Sequence, residues 1–467
     1  MTVDISPPAS VLALMDRLWV HGHAAYVVGG SVRDQVLGRE PVDWDLTTDA
    51  RPDRLLAIFP GAVYENRFGT VAVREAGDQH EVTTFRTDHD YADFRRPHRV
   101  EFGDTVDVDL ARRDFTVNAI AWGAAAPEAA KTASLPAATG AGAAIPASPT
   151  PALVDPFGGI ADAEARRLRA VGEPAARFRE DALRMIRAVR LAAVLELEID
   201  PPTFAAIRSN AALAAHVSGE RVSAELWKLL SAARPSIGLR LLAESGLLDV
   251  VLPELAAQRG VPQNKIDGED LFDHTLRTVD AAPATRPVIR LAALLHDIGK
   301  PSTLDDGPFR GHDTVGADLA QAVLDRLHTP RAATERVVHL VRNHMFTYEP
   351  EWGDAGIRRF IQRVGTDAID DLFALREADN VGSGVPVDAH DLGNLRARVN
   401  AELAAAVVLD RSRLAVHGDD LMAELGLPAG PRLGRILDDL LDRVIADPKL
   451  NDRATLLLLA ESMLAED

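Results

Sequence analysis

Asp43 and Asp45 stand two residues apart at the end of the segment YVVGGSVRDQVLGREPVDWDLT, residues 26–47. On a strand, both carboxylates project to one face, because side chains alternate with a period of two. Two carboxylates so placed do not both ionise readily unless a cation lies between them. Oxygen-only donors suit a hard ion, and Mg²⁺ carrying a nucleotide triphosphate meets that description. Upstream, the apolar run 26–28 leads into Gly29-Gly30 and then Ser31-Val32-Arg33-Asp34. Glycines at a strand-to-helix turn let a phosphate approach the backbone, and a helix N-terminus turns N–H groups toward an anion. Alone, one half reads as a tight turn and the other as a solvated loop. Together, behind a buried strand, they predict a nucleotidyltransferase palm.

Further residues can join this chemistry. Glu81, in the strand-like run 81–86, is a candidate third carboxylate, although an ordinary solvated strand residue would read the same. In DVDLARRDFTVNA, residues 107–119, a helix-like segment carries Arg112 and Arg113, whose guanidinium forks can hold triphosphate oxygens. The stretch 177–191, RFREDALRMIRAVRL, reads as one helix. Leu183, Ile186 and Val189 form its inward face, and Arg184, Arg187 and Arg190 line another. Asp181, three residues before Arg184, is expected beside it on that face; a weak surface ion pair would have the same spacing.

A separate constellation lies within 265–400: His274, His296-Asp297 in ALLHDIGK, His312 in GHD, His344 in NHM, and Asp379. Imidazole and carboxylate together suit a divalent transition metal. Scattered single histidines are normally structural, but the adjacency of His296 and Asp297 favours a metal site. His274, His296, Asp297 and Asp379 make the expected set, with His312 and His344 as additional candidates.

These residues need elements to hold them. A helix is expected over 10–22 with Ser10 as its N-cap, and strands at 63–64, 69–73, 81–86 and 100–102. Residues 87–99 show no period and read as a mobile loop beside the site. From about 123 to 152 the chain is Ala/Pro/Gly/Thr/Ser-rich, almost uncharged, and unable to bury a core. A further helix starts near Ser218, and the tail 401–467 is amphipathic helix broken around 427–431. A length of 467 residues suggests two to four domains. The absence of cysteine excludes disulfides, thiolate chemistry and cysteine-bound zinc, and fits a reducing cytosol. No apolar run is long enough for a bilayer, and the N-terminus shows no secretory pattern. A net charge of −19 argues against a general nucleic-acid coat while leaving room for a local basic track.

Five motifs then occur in order: GGSVRDQVLGREPVDWD (29–45), RRDFTVNA (112–119), DPFGG (155–159), EDALR (180–184) and ERVSAE (220–225). Over about residues 10–400 the chain resembles the bacterial class II tRNA nucleotidyltransferases, the CCA-adding enzymes related to bacterial poly(A) polymerases. Its later part resembles an HD-type phosphohydrolase domain. The resemblance implies an α+β chain: a small mixed-sheet head like the polymerase β palm (1–122), the low-complexity insertion (123–152), and a helical neck and body with a base-template helix (153–264). A helical HD domain (265–400) and a helical tail (401–467) follow.

The implied activity is template-independent addition of CCA to tRNA lacking all or part of that end, using CTP and ATP and releasing pyrophosphate. Asp43 and Asp45, with Glu81, would be catalytic around Mg²⁺; a second divalent transition metal would sit in the HD domain. Gly29, Gly30, Ser31 and Arg33 would cradle the triphosphate, with Arg112, Arg113, Asp114 and Asn118 completing the nucleotide site. Asp181 and Arg184 would read the base, with Arg187 and Arg190 on the same face. A cytoplasmic enzyme without a membrane partner is expected; the sequence does not specify its oligomeric state. The run ENRFGTV (65–71) resembles the CCA-adding form more than the arginine-rich strand of poly(A) polymerases, and 87–99 supplies a loop that CC-adding enzymes lack. The alternatives are an A-adding enzyme or poly(A) polymerase, an HD phosphohydrolase with a degenerate head, and a silent RNA-binding protein. Intact DWD and RRDFT motifs stand against the phosphohydrolase, and the acidic balance and retained carboxylates against the silent RNA-binding protein.

Overall fold

The computed structural model describes residues 4–65, 69–89, 99–127, 148–263, 265–306, 309–405 and 407–466. The chain forms two compact units, Met1–Pro253 and Glu254–Asp467. In the first unit the strands are β1 (Ala25–Val28), β2 (Asp45–Thr48), β3 (Val63–Tyr64), β4 (Thr70–Glu75), β5 (Asp78–Thr84), β6 (Arg86–His89), β7 (Arg99–Phe102), β8 (Ala121–Ala124) and β9 (Ala152–Val154), followed by the short parallel pair β10 (Arg167–Leu168) and β11 (Glu198–Ile199). Seven of them make one mixed sheet in the order β3-β4-β5-β2-β1-β8-β9. The β2–β5 pair is parallel, and its neighbours are antiparallel.

Alternation along β1 builds both layers. Ala25 and Val27 join the core under the helices Ala9–Val20 and Pro52–Ile58, with Leu14, Leu18, Leu46, Val82 and Leu55. Tyr26 and Val28 join the opposite core, with Phe85, Leu110 and Val171. A strand buried on both faces must be apolar throughout, as AYVV is. The expected head is therefore present, and the α+β class holds.

Several local expectations change. Ser10 lies inside the first helix, whose N-cap is Pro8, so it caps nothing. The segment 107–119 is not one helix: Val106–Ala111 ends at Arg112, and Thr116–Asn118 is a separate single turn. Strands β6 and β7 pair from Arg86↔Phe102 to His89↔Arg99, which takes both ends of the expected 87–99 loop into a hairpin. Its middle, 90–98, lies outside the described residues, as do 66–68 of the ENRFGTV run. Strands β8 and β9 likewise claim the two ends of the low-complexity stretch, whose 128–147 part is outside the description.

Helices complete the unit, among them Pro174–Glu180, Leu183–Leu195, Gly219–Leu230 and Pro235–Glu244. The single helix expected over 177–191 is thus two. Asp181 is extended (φ −146°, ψ 107°), and its carboxylate accepts from the Leu183 N–H at 3.1 Å. Aspartate offers the backbone a side-chain partner that competes with helix continuation.

The second unit is helical. Leu271–Ala281, Pro287–Leu295, His312–Arg326, Arg331–Asn343 and Ile369–Gly382 precede a tail whose helices Gly418–Leu425, Pro431–Ala446 and Arg453–Glu466 share a core of Leu421, Leu440, Val444 and Leu456. The Pro/Gly break falls between the first two of these tail helices, as expected. Among the described residues no helix is long and apolar enough to cross a membrane.

The DPFGG motif is explained by packing. Asp155 accepts from the Gly159 and Ile160 N–H groups at 2.6 and 2.9 Å, starting the helix Gly159–Glu164. A Cβ on Gly159 would lie 2.1 Å from the Thr116 carbonyl oxygen. Gly159→Ala should therefore force backbone apart and cost about 1–3 kcal/mol, the usual range for overpacking. Urea unfolding measures this; an unchanged midpoint would mean the two turns separate freely.

Candidate functional site

The carboxylates gather where β2 starts. Strand β2 begins at Asp45, so Asp43 and Trp44 lie on its approach and the expectation that the strand carries all of DWD is corrected. Pairing with β1 stops at Val28↔Asp45, because β1 turns away at Gly29. On the other side Leu46 faces Val82 in the parallel β2–β5 pair, so Asp45 stands across from Glu81, one residue earlier in each strand. Residues directly opposite share a face.

Asp43, Asp45 and Glu81 are all exposed at this edge. Desolvation by the surrounding protein raises the Asp45 carboxyl above its usual range; Arg113 opposes this and Asp43 adds to it. Glu81 is raised by desolvation and then by the charges of Asp45, Glu65 and Asp43. An oxygen-only edge whose acids repel one another suits Mg²⁺. The trio is looser than a closed cage: among the described residues, groups of three donors within 4.8 Å of one another occur in the second unit alone.

Gly29 supplies the turn beside this edge. Its φ is +73°, its N–H bonds the Ile120 carbonyl at 3.1 Å, and a Cβ would come within 2.6 Å of Arg113 Nη1. Glycine is needed for both the backbone and the guanidinium that rests on it. Gly30 starts the helix Gly30–Val36, where Ser31 is buried with its hydroxyl donating back to the Val28 carbonyl at 3.3 Å. Arg33 donates to Asp34 at 2.8 Å and to Asn118 Oδ1 at 2.7 Å. Arg112 and Arg113 both clamp the fully buried Asp109, at 2.6 and 3.2 Å. Burial opposes ionisation of Asp109, but the two arginines prevail and hold its carboxyl below the usual range.

From Asn118 the polar contacts continue into the helices. Asn118 donates to Asp114 Oδ1 at 2.9 Å, and Arg187 donates to Asp114 Oδ2 at 2.9 Å. Burial of Asp114 is outweighed by Arg187, by the Asn118 hydrogen bond and by Arg184, so it stays ionised far below the ordinary carboxylate range. Arg190 pairs with buried Glu225 at 2.8 Å.

The expected Asp181–Arg184 neighbourhood is corrected, because the break at Asp181 turns the two side chains to different partners. Arg184 donates to Glu180 at 2.6 Å and to the Arg112 carbonyl at 3.0 Å. Asp181 takes a fork from Arg221 at 2.6 and 3.1 Å. Arg221, Glu225, Glu180 and Asp109 were not anticipated. Arg221 and Glu225 do stand in one ERVSAE motif, four apart on a helix, and that spacing was the available signal.

In the second unit His274, His296, Asp297, His312, His344 and Asp379 are all buried and all meet. One group is His274, His296 and Asp379; the other is Asp297, His312 and His344. Burial opposes ionisation of Asp297, but His296 and Lys300 hold it well below the usual range, and Lys300 Nζ lies 2.5 Å from its Oδ2. His296 is lowered by burial. Asp379 is held low, against burial, by His274, His296 and Lys265. Two imidazoles and a carboxylate per group fit a divalent transition metal.

The profile of the Poly A polymerase head domain matches residues 25–169; that of the probable RNA and SrmB-binding site of polymerase A matches 196–259, and that of the HD domain matches 271–382. The CCA-adding enzyme of Geobacillus stearothermophilus is 33% identical over 456 residues, 96% of each chain. The chain belongs to the CCA-adding enzyme family. A crystal structure of the Bacillus stearothermophilus CCA-adding enzyme in complex with CTP superposes with a TM-score of 0.71 at 29% identity, covering 98% of both chains. The family's relatives also include an A-adding tRNA nucleotidyltransferase from Deinococcus radiodurans, 33% identical over 437 residues, 88% of this chain and 89% of that one.

The crowded carboxylates carry a stability consequence. Asp45 binds its proton more tightly folded than unfolded, so its ionised form subtracts from stability above both pKa values. In chelator, Asp45→Asn should raise the melting temperature at neutral pH. The gain should shrink as pH falls toward about 4, where the wild-type carboxyl also protonates. A lower melting temperature at neutral pH would remove the repulsion argument.

Proposed function

We propose that the first unit adds C, C and A to the 3′ end of tRNA from CTP and ATP, and that Asp43, Asp45 and Glu81 form its reaction edge. The observation that carries this reading is the continuity of the polar path. It runs from the Gly29 turn with Arg113, through Arg33, Asn118 and Asp114, to Arg187 on the helix next to Asp181. Bound at the carboxylate edge, Mg²⁺ would polarise the α-phosphate and ease loss of the proton from the primer 3′-hydroxyl. Asp43 and Asp45 hold that charge. The 3′-oxygen gives its proton to water and forms the new bond to the α-phosphorus, the bond to the bridging oxygen breaks, and pyrophosphate leaves. Gly29 and Gly30 let the triphosphate lie close to the turn, while Arg33, Arg112 and Arg113 face it with N–H groups; a guanidinium has five, enough to keep a carboxylate partner as well.

Base choice is assigned to Asp181 and Arg184. A carboxylate accepts from the exocyclic amine of cytosine or adenine, and Arg184 donates to a ring nitrogen or carbonyl. Uracil or guanine would set a carbonyl against Asp181 and leave it unpaired. Arg221 keeps Asp181 oriented, and Arg184 would exchange Glu180 for the base.

Transcripts ending before CCA, after C and after CC, offered CTP and ATP separately, test the activity. Extension of all three by this chain is expected; extension of the last alone would make it A-adding, as the Deinococcus relative is named. Asp43→Ala or Asp45→Ala should abolish all additions in a folded protein. Asp181→Ala should relax rejection of UTP and GTP by about tenfold or more, for the loss of one buried charged hydrogen bond; unchanged selectivity would remove Asp181 from the base site.

The second unit supports a separate metal-dependent phosphoester hydrolysis, favoured by the buried His274, His296, Asp297 and Asp379 set. Water adds to phosphorus, the ester P–O bond breaks, and the leaving alcohol takes the proton. His296→Ala should lose this hydrolysis and retain tRNA extension.

A further inference from the structure

The geometry points to Arg39 as a positioning residue for nucleotidyl transfer: it ties the chain leading to Asp43 to the far end of the helix that follows the base reader Asp181. This role rests on the proposed nucleotidyl reading, and it falls to a side chain that would touch neither metal nor nucleotide.

Arg39 follows the helix Gly30–Val36, which starts at the Gly29 turn. Its backbone is fixed there. Gly38 turns the chain at φ +69°, its N–H bonding the Gln35 carbonyl at 3.0 Å, and the Arg39 N–H bonds the Asp34 carbonyl at 2.7 Å. The guanidinium then reaches 155 residues along the chain, where Nη1 donates to the Val194 carbonyl at 2.9 Å. Val194 lies in the last turn of Leu183–Leu195, and the final carbonyls of a helix have no partner within it. A cation at that end also meets the negative pole of the helix dipole.

The place of this contact gives it a second consequence. Arg187 and Val194 are seven residues apart. That is two turns, so they lie on one face of the helix, separated by about 10 Å along its axis. Asp114 holds Arg187 at 2.9 Å, and Arg39 holds Val194. One attachment would leave the helix free to pivot, whereas two fix its direction against the head. The second attachment also leads straight to the reaction edge, since Arg39 stands four residues before Asp43. Between them the chain is open: Glu40, Val42 and Asp43 are exposed, Val42 at 90%. Beyond Asp43, Trp44 packs against the core that holds Val27 and Leu46. Asp43 is thus held between Trp44 on one side and Arg39 on the other.

Arg166 offers a comparison within the same molecule. It caps the same helix end, donating to the Leu195 carbonyl at 3.2 Å, but it follows the helix Gly159–Glu164 and does not lead to the carboxylates. Both arginines are exposed, so neither fills a core. A side chain that only kept the helix from fraying would act alike at both positions. One that aims Asp43 acts at position 39 alone.

The test uses the full chain, transcripts ending before CCA and after CC, and CTP or ATP with Mg²⁺. Arg39→Met keeps the apolar stem and removes the donors; kcat should fall about tenfold or more, the order of loss that ångström-scale misplacement of a reacting group brings. KM for CTP and ATP should stay within about twofold, since Gly29, Arg33 and Arg113 still face the triphosphate and only the reacting geometry is altered. Arg39→Lys, which can still donate to a carbonyl, should recover most of the rate. Arg166→Met should leave kcat unchanged, and circular dichroism should show all three variants as folded as the parent at the assay temperature. An equal loss in Arg166→Met, a loss that Arg39→Lys does not relieve, or one accounted for by unfolded protein would make Arg39 a helix cap and overturn the inference. Full rate in Arg39→Met beside an active parent would overturn it alone. A parent that extends no transcript would overturn the nucleotidyl reading with it.

Discussion

The first unit depends on one buried carboxylate. Asp114 sits in the turn after the helix Val106–Ala111, is 8% exposed, and is held by Asn118 from its own turn and by Arg187 from a helix 73 residues away. An ionised carboxylate in such a place persists only where charge and hydrogen bonds replace its hydration. Its backbone joins the same seam: the Val171 N–H bonds the Asp114 carbonyl, and Phe115 bridges to Ala170. Asn118 in turn holds Arg33 on the helix that follows the Gly29 turn. The sheet that would carry the triphosphate and the helix that would face the base are thereby fixed in one frame. Reaction between two positioned groups gains from such rigidity, since a displacement of an ångström at either end lowers the rate.

The same arrangement explains how a chain of net charge −19 can present cations to a nucleotide. Each arginine here has an acidic partner: Arg33 with Asp34, Arg112 and Arg113 with Asp109, Arg184 with Glu180, Arg187 with Asp114, Arg190 with Glu225, Arg221 with Asp181. A guanidinium clamped by a carboxylate loses rotamer freedom before the ligand arrives, and its remaining N–H groups point in fixed directions. Binding then requires less ordering of long side chains. On the proposed reading these acids support the nucleotide site, although none of Asp109, Glu180 or Glu225 would touch the nucleotide.

Legibility in the sequence followed the range of the interaction. The strand, the glycine turn and the opposed acids of the head were readable because period-two burial and a glycine at positive φ are local requirements. The HD cluster was readable because His296 and Asp297 are adjacent. The break at Asp181 was hidden, because apolar spacing runs unbroken from Phe178 to Leu183 and Ile186 while the cause is a carboxylate capping Leu183 and a fork from Arg221, 40 residues on. Spacing alone therefore put the Asp181 side chain beside Arg184, whereas its ion pair is with Arg221. His312 and His344 were legible only as additional candidates, because what sets them beside Asp297 is contact between helices far apart in the sequence.

The two metal-capable sites differ in exposure as well as in donors, and the difference follows from what each must do. Asp43, Asp45 and Glu81 are open to solvent and offer oxygen alone. Mg²⁺ dehydrates reluctantly and is usually held by one or two carboxylates together with substrate phosphates. On the proposed reading, an open edge of mutually repelling acids would let the ion enter with the triphosphate and depart with pyrophosphate, so that charge balance would be restored only when substrate is present. The second unit instead encloses His274, His296, Asp297, His312, His344 and Asp379, none more than 8% exposed, and so adds imidazole. An ion there would exchange through a closed wall, and imidazole favours the transition metals that bind more tightly than Mg²⁺. One chain thus presents carboxylates in two environments, and on the proposed reading burial would decide which of them keeps a metal and which shares it with a substrate.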